Sequence, residues 1–462
     1  MDAVTLRSWQ AREVTTNART LRRAMLCDPR TGKTLACIAS YLQSGFTREN
    51  TMVVSPVSFA ASWAQQLEDA IQTPVLRGYE LSTAVLYKKL QAGRAVGKKC
   101  VCVLTYGQIW RSTPKCRFKE ELRKWKWTAL ILDELHRIAS PSSRQARTAR
   151  LLAWDATWVR GLTGTPVPSH YGNLWGQMTA IDKEKWGTSF GEFAKRELVM
   201  DSLYPSRVVG VQNEERLLHM VREDACIVTR KEVFGADKWE YVVRHVDLPK
   251  KARELYNKLA KEWVAEQDGA AVVADHALTR LVRFQQITSG FVSSEDGVAR
   301  SIHEQKIEAV VDDLSEIAAQ GEKVILFHRF RWEHAAYQAA LGKIRGLKVF
   351  AIDGSTNALE RIQIAEGFNK HRGPAVVVAQ IQAASEALSF AEAQHAFFVS
   401  TNFSLKDNLQ ARDRVFKPGE PRVVTHFIVR HSVDEFIHRK ISEKVPLHQA
   451  IMGCALNDVL GV

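Results

Sequence analysis

Residues 27 to 34 read CDPRTGKT, with Gly32, Lys33 and Thr34 in succession after a turn and before a helical stretch. In the phosphate-cradling pattern G-x-x-x-x-G-K-[ST], the glycine lets backbone N–H groups approach the oxygens, the lysine reaches the β- and γ-phosphates, and the hydroxyl holds Mg²⁺ at the helix N-terminus. Cys27 stands where that pattern has its first glycine, so only the end of the motif is present, and a Gly-Lys turn that merely starts a helix has the same letters. A second element narrows the choice. The apolar run Ala129-Leu130-Ile131-Leu132 delivers Asp133, Glu134, Leu135 and His136 at its tip. Adjacent carboxylates at the end of a buried strand serve packing poorly. Asp133 can hold a hydrated Mg²⁺, and Glu134 can orient and deprotonate an attacking water as general base. The chemistry these residues could do together is hydrolysis of a nucleoside triphosphate.

Such residues need strands to carry them. Short runs rich in Val, Ile and Leu alternate with helical stretches: TMVVSPV at 51, VCVLTY at 101, TALILDE at 128 and WVRGLTGT at 158. The rhythm resumes with KVILFH at 323, KVFAIDG at 348, AVVVAQ at 375, HAFFVS at 395 and VVTHFIV at 423. This alternation predicts an α/β protein with two parallel sheets covered by helices. Before the second group, Ile307, Val310, Val311, Leu314 and Ile317 share one helical face, and Gly321 ends that helix. In both groups the polar, Gly- and Pro-containing words follow the C-terminal ends of the apolar runs, where ligand crevices of open α/β sheets form.

The 462 residues, 45% hydrophobic and 25% charged, suffice for two or three domains, each with its own core. Lys and Arg number 64 against 51 Asp and Glu, and a net charge of +13 favours a polyanionic partner, nucleic acid first. Basic residues are dense before residue 160, as in Lys115, Arg117, Lys119, Arg123, Lys124 and Lys126, then Arg144, Arg147 and Arg150; a solvated basic face gives the same runs. Seven cysteines without a C-x-x-C pair argue against a disulfide framework or a zinc ribbon. No stretch approaches the roughly 18 continuous apolar residues of a membrane span, and MDAVTLRSWQAREV has no apolar signal core. The expected setting is a reducing cytoplasm, the host's if the source is viral, with no membrane partner.

Further words place these residues in a known context. LRSWQ at 6, VVSPVSFAASWAQQL at 53, VLTYGQI at 103, DELHRIASPSSR at 133 and LTGTPVPSHYGNLW at 162 occur in the first half. IVTRKEVFGADKWEYVVRHVDLPKKARELYNKL at 227, KIEAVVDDLSEIAAQGEKVILFHRF at 306, IDGSTNALERIQIAEGFN at 352 and QARDRVFKPG at 410 follow. In this order they resemble the helicase-superfamily-two ATPases of the Swi/Snf type, double-stranded DNA translocases that include chromatin remodellers. The resemblance spans nearly the whole chain, and the Asn-Leu-Trp that ends LTGTPVPSHYGNLW favours this family over general RNA helicases.

The resemblance implies two tandem RecA-like lobes with helical insertions between them: lobe one over 1–200, a helical bridge over 201–305, lobe two over 306–445, and a tail over 446–462. It implies ATP and Mg²⁺ as cofactors, hydrolysed in a cleft between the lobes. Gln10, Arg30, Thr31, Gly32, Lys33, Thr34, Asp133, His136 and Gln410 would bind the nucleotide, with Thr34 and Asp133 on the metal. Lys33, Glu134, Arg414 and Lys417 would be catalytic, the last two as arginine-finger positions. Ser55, Pro56, Thr105, His328, Arg329, Ser355 and Thr356 would contact DNA. His136 reads as a hydrogen-bonding relay between lobes, since no second histidine lies at metal-ligand spacing. Trp63, Tyr106 and Trp175 read as core packing ahead of base stacking.

Three positions depart from the family's pattern: Arg30 replaces a glycine, Ala384, Ser385 and Ala387 stand where glycine is favoured, and Lys417 occupies the second arginine of the finger motif. Lysine keeps the charge there but loses the planar fork. The expected function is a monomeric, DNA-stimulated ATP hydrolase translocating on double-stranded DNA, in a compact form resembling bacterial or phage members. One rival is a strand-separating or branch-migrating helicase, for which no wedge is visible. Another is a nucleotide-gated DNA-binding module with impaired turnover, which the retention of Lys33, Asp133, Glu134 and Arg414 opposes.

Overall fold

A computed structural model describes the chain apart from residues 1–4, 18–19, 112–116, 168–169, 203–207, 236–237, 268–273, 294–297, 385–387, 403–404, 436 and 440–462. It divides into two compact units between Ala236 and Asp237.

The first unit is built on a seven-stranded sheet whose strands run, in spatial order, Leu76–Arg77, Val101–Thr105, Thr51–Ser55, Ala129–Asp133, Trp158–Thr163, Arg22–Cys27 and Ala225–Val228. Every pairing is parallel. Alternate side chains of one strand enter separate cores: Ala24, Leu26, Met52, Val54, Leu130 and Leu132 on one face, Met25, Cys27, Val53, Val103 and Ile131 on the other. A strand apolar on both faces needs helices on both, which is why its sequence reads as an uninterrupted hydrophobic run. The register sets Asp133 beside Leu162, Leu26 beside Thr163, and Cys27 beside Val228. The chain segments that follow these strands therefore emerge together at one sheet edge.

The second unit repeats the plan with six parallel strands ordered Trp239–Val246, Arg422–Val429, His395–Phe398, Lys323–His328, Ala375–Gln380 and Lys348–Ile352. Ile325, Phe327, Val377 and Ala379 pack on one face, Val324, Leu326, Val376 and Val378 on the other. The helix read from Ile307 and its partners spans Gln305–Ala319, with Ile307, Val310 and Leu314 buried, and Gly321 takes a left-handed φ of 78° just beyond it. The fold is thus two tandem RecA-like parallel-sheet units.

Residues 201–305, expected as a helical bridge, contain the helices Glu214–Asp224, Lys250–Gln267 and Ala274–Thr288 but also give one strand to each sheet. Ala225–Val228 joins the first sheet and Trp239–Val246 the second. The latter is an edge strand with Glu240, Tyr241, Val243, Arg244 and His245 exposed, so it lacks the continuous apolar run that marks a central strand.

A buried ion pair closes the second unit. Lys306 Nζ donates to Asp434 Oδ2 at 2.7 Å and to the Val399 carbonyl at 2.8 Å, while Thr288 Oγ1 donates to Asp434 Oδ1 at 2.8 Å. Removing one member of such a pair leaves the other charged in the interior. Lys306→Met is expected to cost about 3–5 kcal/mol of stability, read from urea unfolding. A loss below about 1 kcal/mol would mean that Thr288 and the backbone suffice for the Asp434 carboxylate.

Candidate nucleotide site

The loop after strand Arg22–Cys27 is held from several sides. Asp28 N donates to the Val228 carbonyl at 2.9 Å, Arg230 N donates to Asp28 Oδ2 at 2.8 Å, and Thr31 Oγ1 donates to the Asp28 carbonyl at 2.8 Å. Gly32 follows with φ 98° and caps the helix Lys33–Gln43, placing Lys33 and Thr34 in its first turn. A Cβ on Gly32 would collide with Gln10 Nε2, which donates to the Gly32 carbonyl at 2.9 Å. Gln10 Oε1 accepts from Arg7 N at 2.8 Å, and Arg7 Nη1 donates to the Thr31 carbonyl at 2.8 Å. The helix Ser8–Asn17 and the residue before it therefore clamp the loop. Arg7 was not anticipated from sequence. Gln10, expected to bind the nucleotide, has both ends of its amide engaged by protein.

Arg30 stands in a left-handed conformation, φ 67°, which explains why a glycine suits this position and what the arginine costs. Arg30→Val is expected to lower stability by about 1–2 kcal/mol, because a β-branched side chain resists positive φ. Arg30→Gly should stay within about 0.5 kcal/mol of the parent. Thermal unfolding of the three proteins checks this; an equal loss in Arg30→Gly would show that the side chain, not the backbone, sets the loop.

Asp133 ends its strand 4% exposed, gripped by two neighbours. Trp63 Nε1 donates to Asp133 Oδ2 at 2.8 Å, and Tyr106 OH donates to the Asp133 carbonyl at 2.8 Å. Burial first, and then the Glu134 charge, push the Asp133 carboxyl up to about 7, with Lys33 and the Trp63 hydrogen bond opposing. A buried carboxylate beside a second one, with the Thr34 hydroxyl on the phosphate loop of the same sheet, offers the oxygen ligands that a hard divalent cation takes, and Lys33 adds positive charge for phosphate oxygens. With Gly32 capping the helix that carries Lys33 and Thr34 in its first turn, these residues fit a nucleoside triphosphate and its Mg²⁺.

Glu134 also adopts a left-handed backbone, φ 51°, and its Oε2 lies 3.2 Å from His136 Nδ1. That nitrogen is 2.9 Å from Thr163 Oγ1 and 3.1 Å from Thr165 Oγ1. His136 Nδ1 thus lies within reach of the Glu134 carboxylate and of both hydroxyls of the Leu-Thr-Gly-Thr-Pro word, all within the first unit. Gly164 lies between those threonines, and a Cβ there would stand 3.0 Å from Pro29 Cδ. Close packing thus couples the phosphate loop to the same word.

In the second unit, Arg414 Nη1 donates to the Leu388 carbonyl and Nε to the Gln410 carbonyl, both at 3.1 Å; Gln410 itself is buried. Lys417 Nζ lies 3.1 Å from Glu392 Oε1 and 2.9 Å from Glu420 Oε1. Ala384 is fully buried, while Ser385 and Ala387 lie outside the described residues.

The residues expected on DNA divide. His328 is fully buried at the end of its strand, with Nε2 2.9 Å from His334 Nδ1 and Nδ1 3.1 Å from the Phe330 carbonyl. Burial first, and then the neighbouring His334, hold its imidazole down to about 3, which favours the neutral ring over the cation. The side chains of Ser55 and Thr105 are likewise inside and spent on their own turns, Ser55 on the Pro56 carbonyl and Thr105 on Gln108. Pro56 is buried beside them. Arg329 is half-buried and donates to Gln285 Oε1 at 2.6 Å. Ser355 is exposed and Thr356 half-buried, and both hydroxyls turn to Asp353 Oδ1. Trp63, Tyr106 and Trp175 are buried as expected, Trp175 under the Arg150 guanidinium at 4.8 Å.

Two tandem RecA-like units, the first with a phosphate loop facing a strand-tip Asp-Glu pair, define the architecture of the helicase-like motor proteins. Residues 13–290, more than half of the 462, match the SNF2-related domain, and residues 305–419 match the helicase conserved C-terminal domain. The chain belongs to the SNF2-related family. It is 26% identical over 445 residues to the mouse (Mus musculus) DNA annealing helicase and endonuclease ZRANB3, covering 92% of this chain and 38% of that protein. It is 23% identical to the putative ATP-dependent helicase/translocase YwqA of Bacillus subtilis, covering 91% and 45%. It is 26% identical to the putative protein p41 of Acyrthosiphon pisum secondary endosymbiont phage 1, covering 66% of each. The chain therefore spans less than half the length of the first two relatives. The solved Sulfolobus solfataricus SWI2/SNF2 ATPase core in complex with dsDNA aligns over 98% of this chain and 94% of its own at 18% identity and a TM-score of 0.41. Among the described residues, no helix is long and apolar enough to cross a membrane.

Proposed function

We propose that this protein is a DNA-stimulated ATP hydrolase that translocates as a monomer on double-stranded DNA in the cytoplasm. The observation that carries the reading is the alignment, at one sheet edge of the first unit, of the Gly32–Lys33–Thr34 loop with Asp133, Glu134 and the His136 relay. Mg²⁺, when bound, neutralises phosphate charge. Thr34 and Asp133 would hold it, Lys33 would reach the terminal phosphates, and Glu134 would take the proton of the attacking water. Arg414 and Lys417 would supply positive charge from the second unit to the transferred phosphoryl group.

Duplex DNA as the track is supported by family membership, by the net charge of +13, and by relatives described as a DNA annealing helicase and as a helicase/translocase. Phosphate contacts need no sequence reading, which suits a motor that moves along its track.

The test is an ATPase assay with no nucleic acid, single-stranded DNA, duplex DNA and RNA. Duplex DNA should stimulate most, and stimulation by RNA alone would sink the reading. Affinity for duplex should fall with salt, log K changing by about −0.9 per phosphate neutralised for each unit of log salt concentration. A salt-insensitive affinity would count against a phosphate-tracking surface.

A further inference from the structure

Asp133 receives its two grips from two separate segments, and both are segments that the sequence reading assigns to DNA. Trp63 lies in the second turn of the helix Val57–Ile71, which starts directly after Ser55 and Pro56. Tyr106 opens the short helix Tyr106–Ile109, which Thr105 caps with its hydroxyl and with Gln108 in a capping box. The strands that precede them are neighbours, Ser55 lying beside Thr105 and Val54 beside Leu132. Each helix starts near the surface, with Val57 and Gly107 exposed, while Trp63 and Tyr106 themselves are each 2% exposed. Each segment thus has an exposed residue near the start of its helix, Val57 or Gly107, and a buried ring that reaches Asp133.

The two contacts are chemically unequal and complementary. An indole N–H is a donor only, so Trp63 must point its one hydrogen at the Asp133 carboxylate, which fixes the plane of that group. The Tyr106 hydroxyl donates to the main-chain carbonyl of the same residue and so fixes the peptide that leads to Glu134. Both donors are buried and both end on Asp133, so a shift of either helix bears on that residue. Ala60, Ala64 and Leu67 are buried along the same helix as Trp63, so it moves as a packed rod against the sheet.

We propose that Trp63 and Tyr106 are positioning residues that carry the state of the two segments expected to contact DNA to Asp133, the carboxylate expected to hold the metal, so that duplex DNA tightens the protein's hold on Mg²⁺. The proposal rests on the reading of the protein as a DNA-stimulated ATPase. Partners of metal ligands characteristically change metal affinity or activity by about 10- to 100-fold when removed.

The experiment uses the full chain, with Trp63→Phe and Tyr106→Phe, which keep a ring and delete one donor each, and Trp125→Phe as a control for losing a buried indole away from the site. A fluorescent ATP analogue is titrated with and without Mg²⁺, and with and without duplex DNA, alongside ATP turnover. In the wild type, duplex DNA should lower the Mg²⁺ needed for half-maximal binding and raise turnover. In Trp63→Phe the Mg²⁺ requirement should rise by about 10-fold or more, the DNA-dependent drop should shrink, and binding of the Mg²⁺-free analogue should match the wild type. Tyr106→Phe should move in the same direction, and Trp125→Phe should not move. A wild type indifferent to duplex DNA overturns the reading of function and this inference with it. A stimulated wild type, with Trp63→Phe and Tyr106→Phe keeping its Mg²⁺ requirement and its stimulation ratio, overturns the inference alone.

Discussion

The Glu134→Gln protein is expected to bind ATP and duplex DNA together and to hydrolyse ATP about 10²- to 10⁴-fold more slowly than the parent, the range that a positioned general base contributes. Glutamine preserves the length and shape of the side chain, so the left-handed turn at residue 134 and the approach to His136 persist while the proton acceptor is lost. The complex should stall after binding, detectable as nucleotide retained on a DNA-bound protein. Lys33→Ala should fail earlier, because Lys33 sits in the first turn of the helix capped by Gly32 and its charge serves the bound phosphates directly. Nucleotide affinity should fall with it, and hydrolysis should vanish. Measuring analogue binding and phosphate release on both variants separates the two steps. A normal rate in Glu134→Gln would assign the base to another residue.

The contrast between these variants rests on residues that declared themselves in the sequence, and the reason is physical. A central parallel strand is buried on both faces, so TALILDE must be apolar until the chain leaves the sheet, and Asp133 and Glu134 then stand out against it. The same contrast exposes Gly32, Lys33 and Thr34, and the alternation of such runs with helices gives both sheets. What stayed hidden was of another kind. Trp239–Val246 pairs on one side only and carries charge, so its pattern does not separate it from a loop. Arg7 and Trp63 act through hydrogen bonds to residues 24 and 70 positions away, and no local spacing encodes a partner so distant. The burial of His328 was hidden because the end of a strand and the start of the loop after it differ by one residue. The loop begins at Arg329, while His328 is still inside the sheet. The left-handed φ of Arg30 marks a position that suits glycine, and the arginine there conceals that geometry in the letters.

The finger motif of the second unit offers two cations, and their surroundings differ in a way that makes Lys417 the informative one. Arg414 is committed to the Leu388 and Gln410 carbonyls, contacts that help to hold its own loop. Truncating it would disturb both loop and charge. Lys417 is about one-third exposed and pairs only at the surface, with Glu392 and Glu420. Surface pairs of this kind hold a side chain by about 0–1 kcal/mol, too little to keep the ammonium from a polyphosphate. Losing a finger costs about 10³- to 10⁵-fold in turnover. Lys417→Ala is therefore expected to reduce DNA-stimulated turnover by about 10³-fold or more while ATP and DNA binding stay near the parent's. Lys417→Arg should retain or raise turnover, since a guanidinium adds paired hydrogen bonds to the same charge. Steady-state turnover with saturating duplex DNA, together with binding of both ligands, decides the matter. Full activity in Lys417→Ala would show that this ammonium remains with Glu392 and Glu420 throughout the cycle and would leave Arg414 as the sole finger.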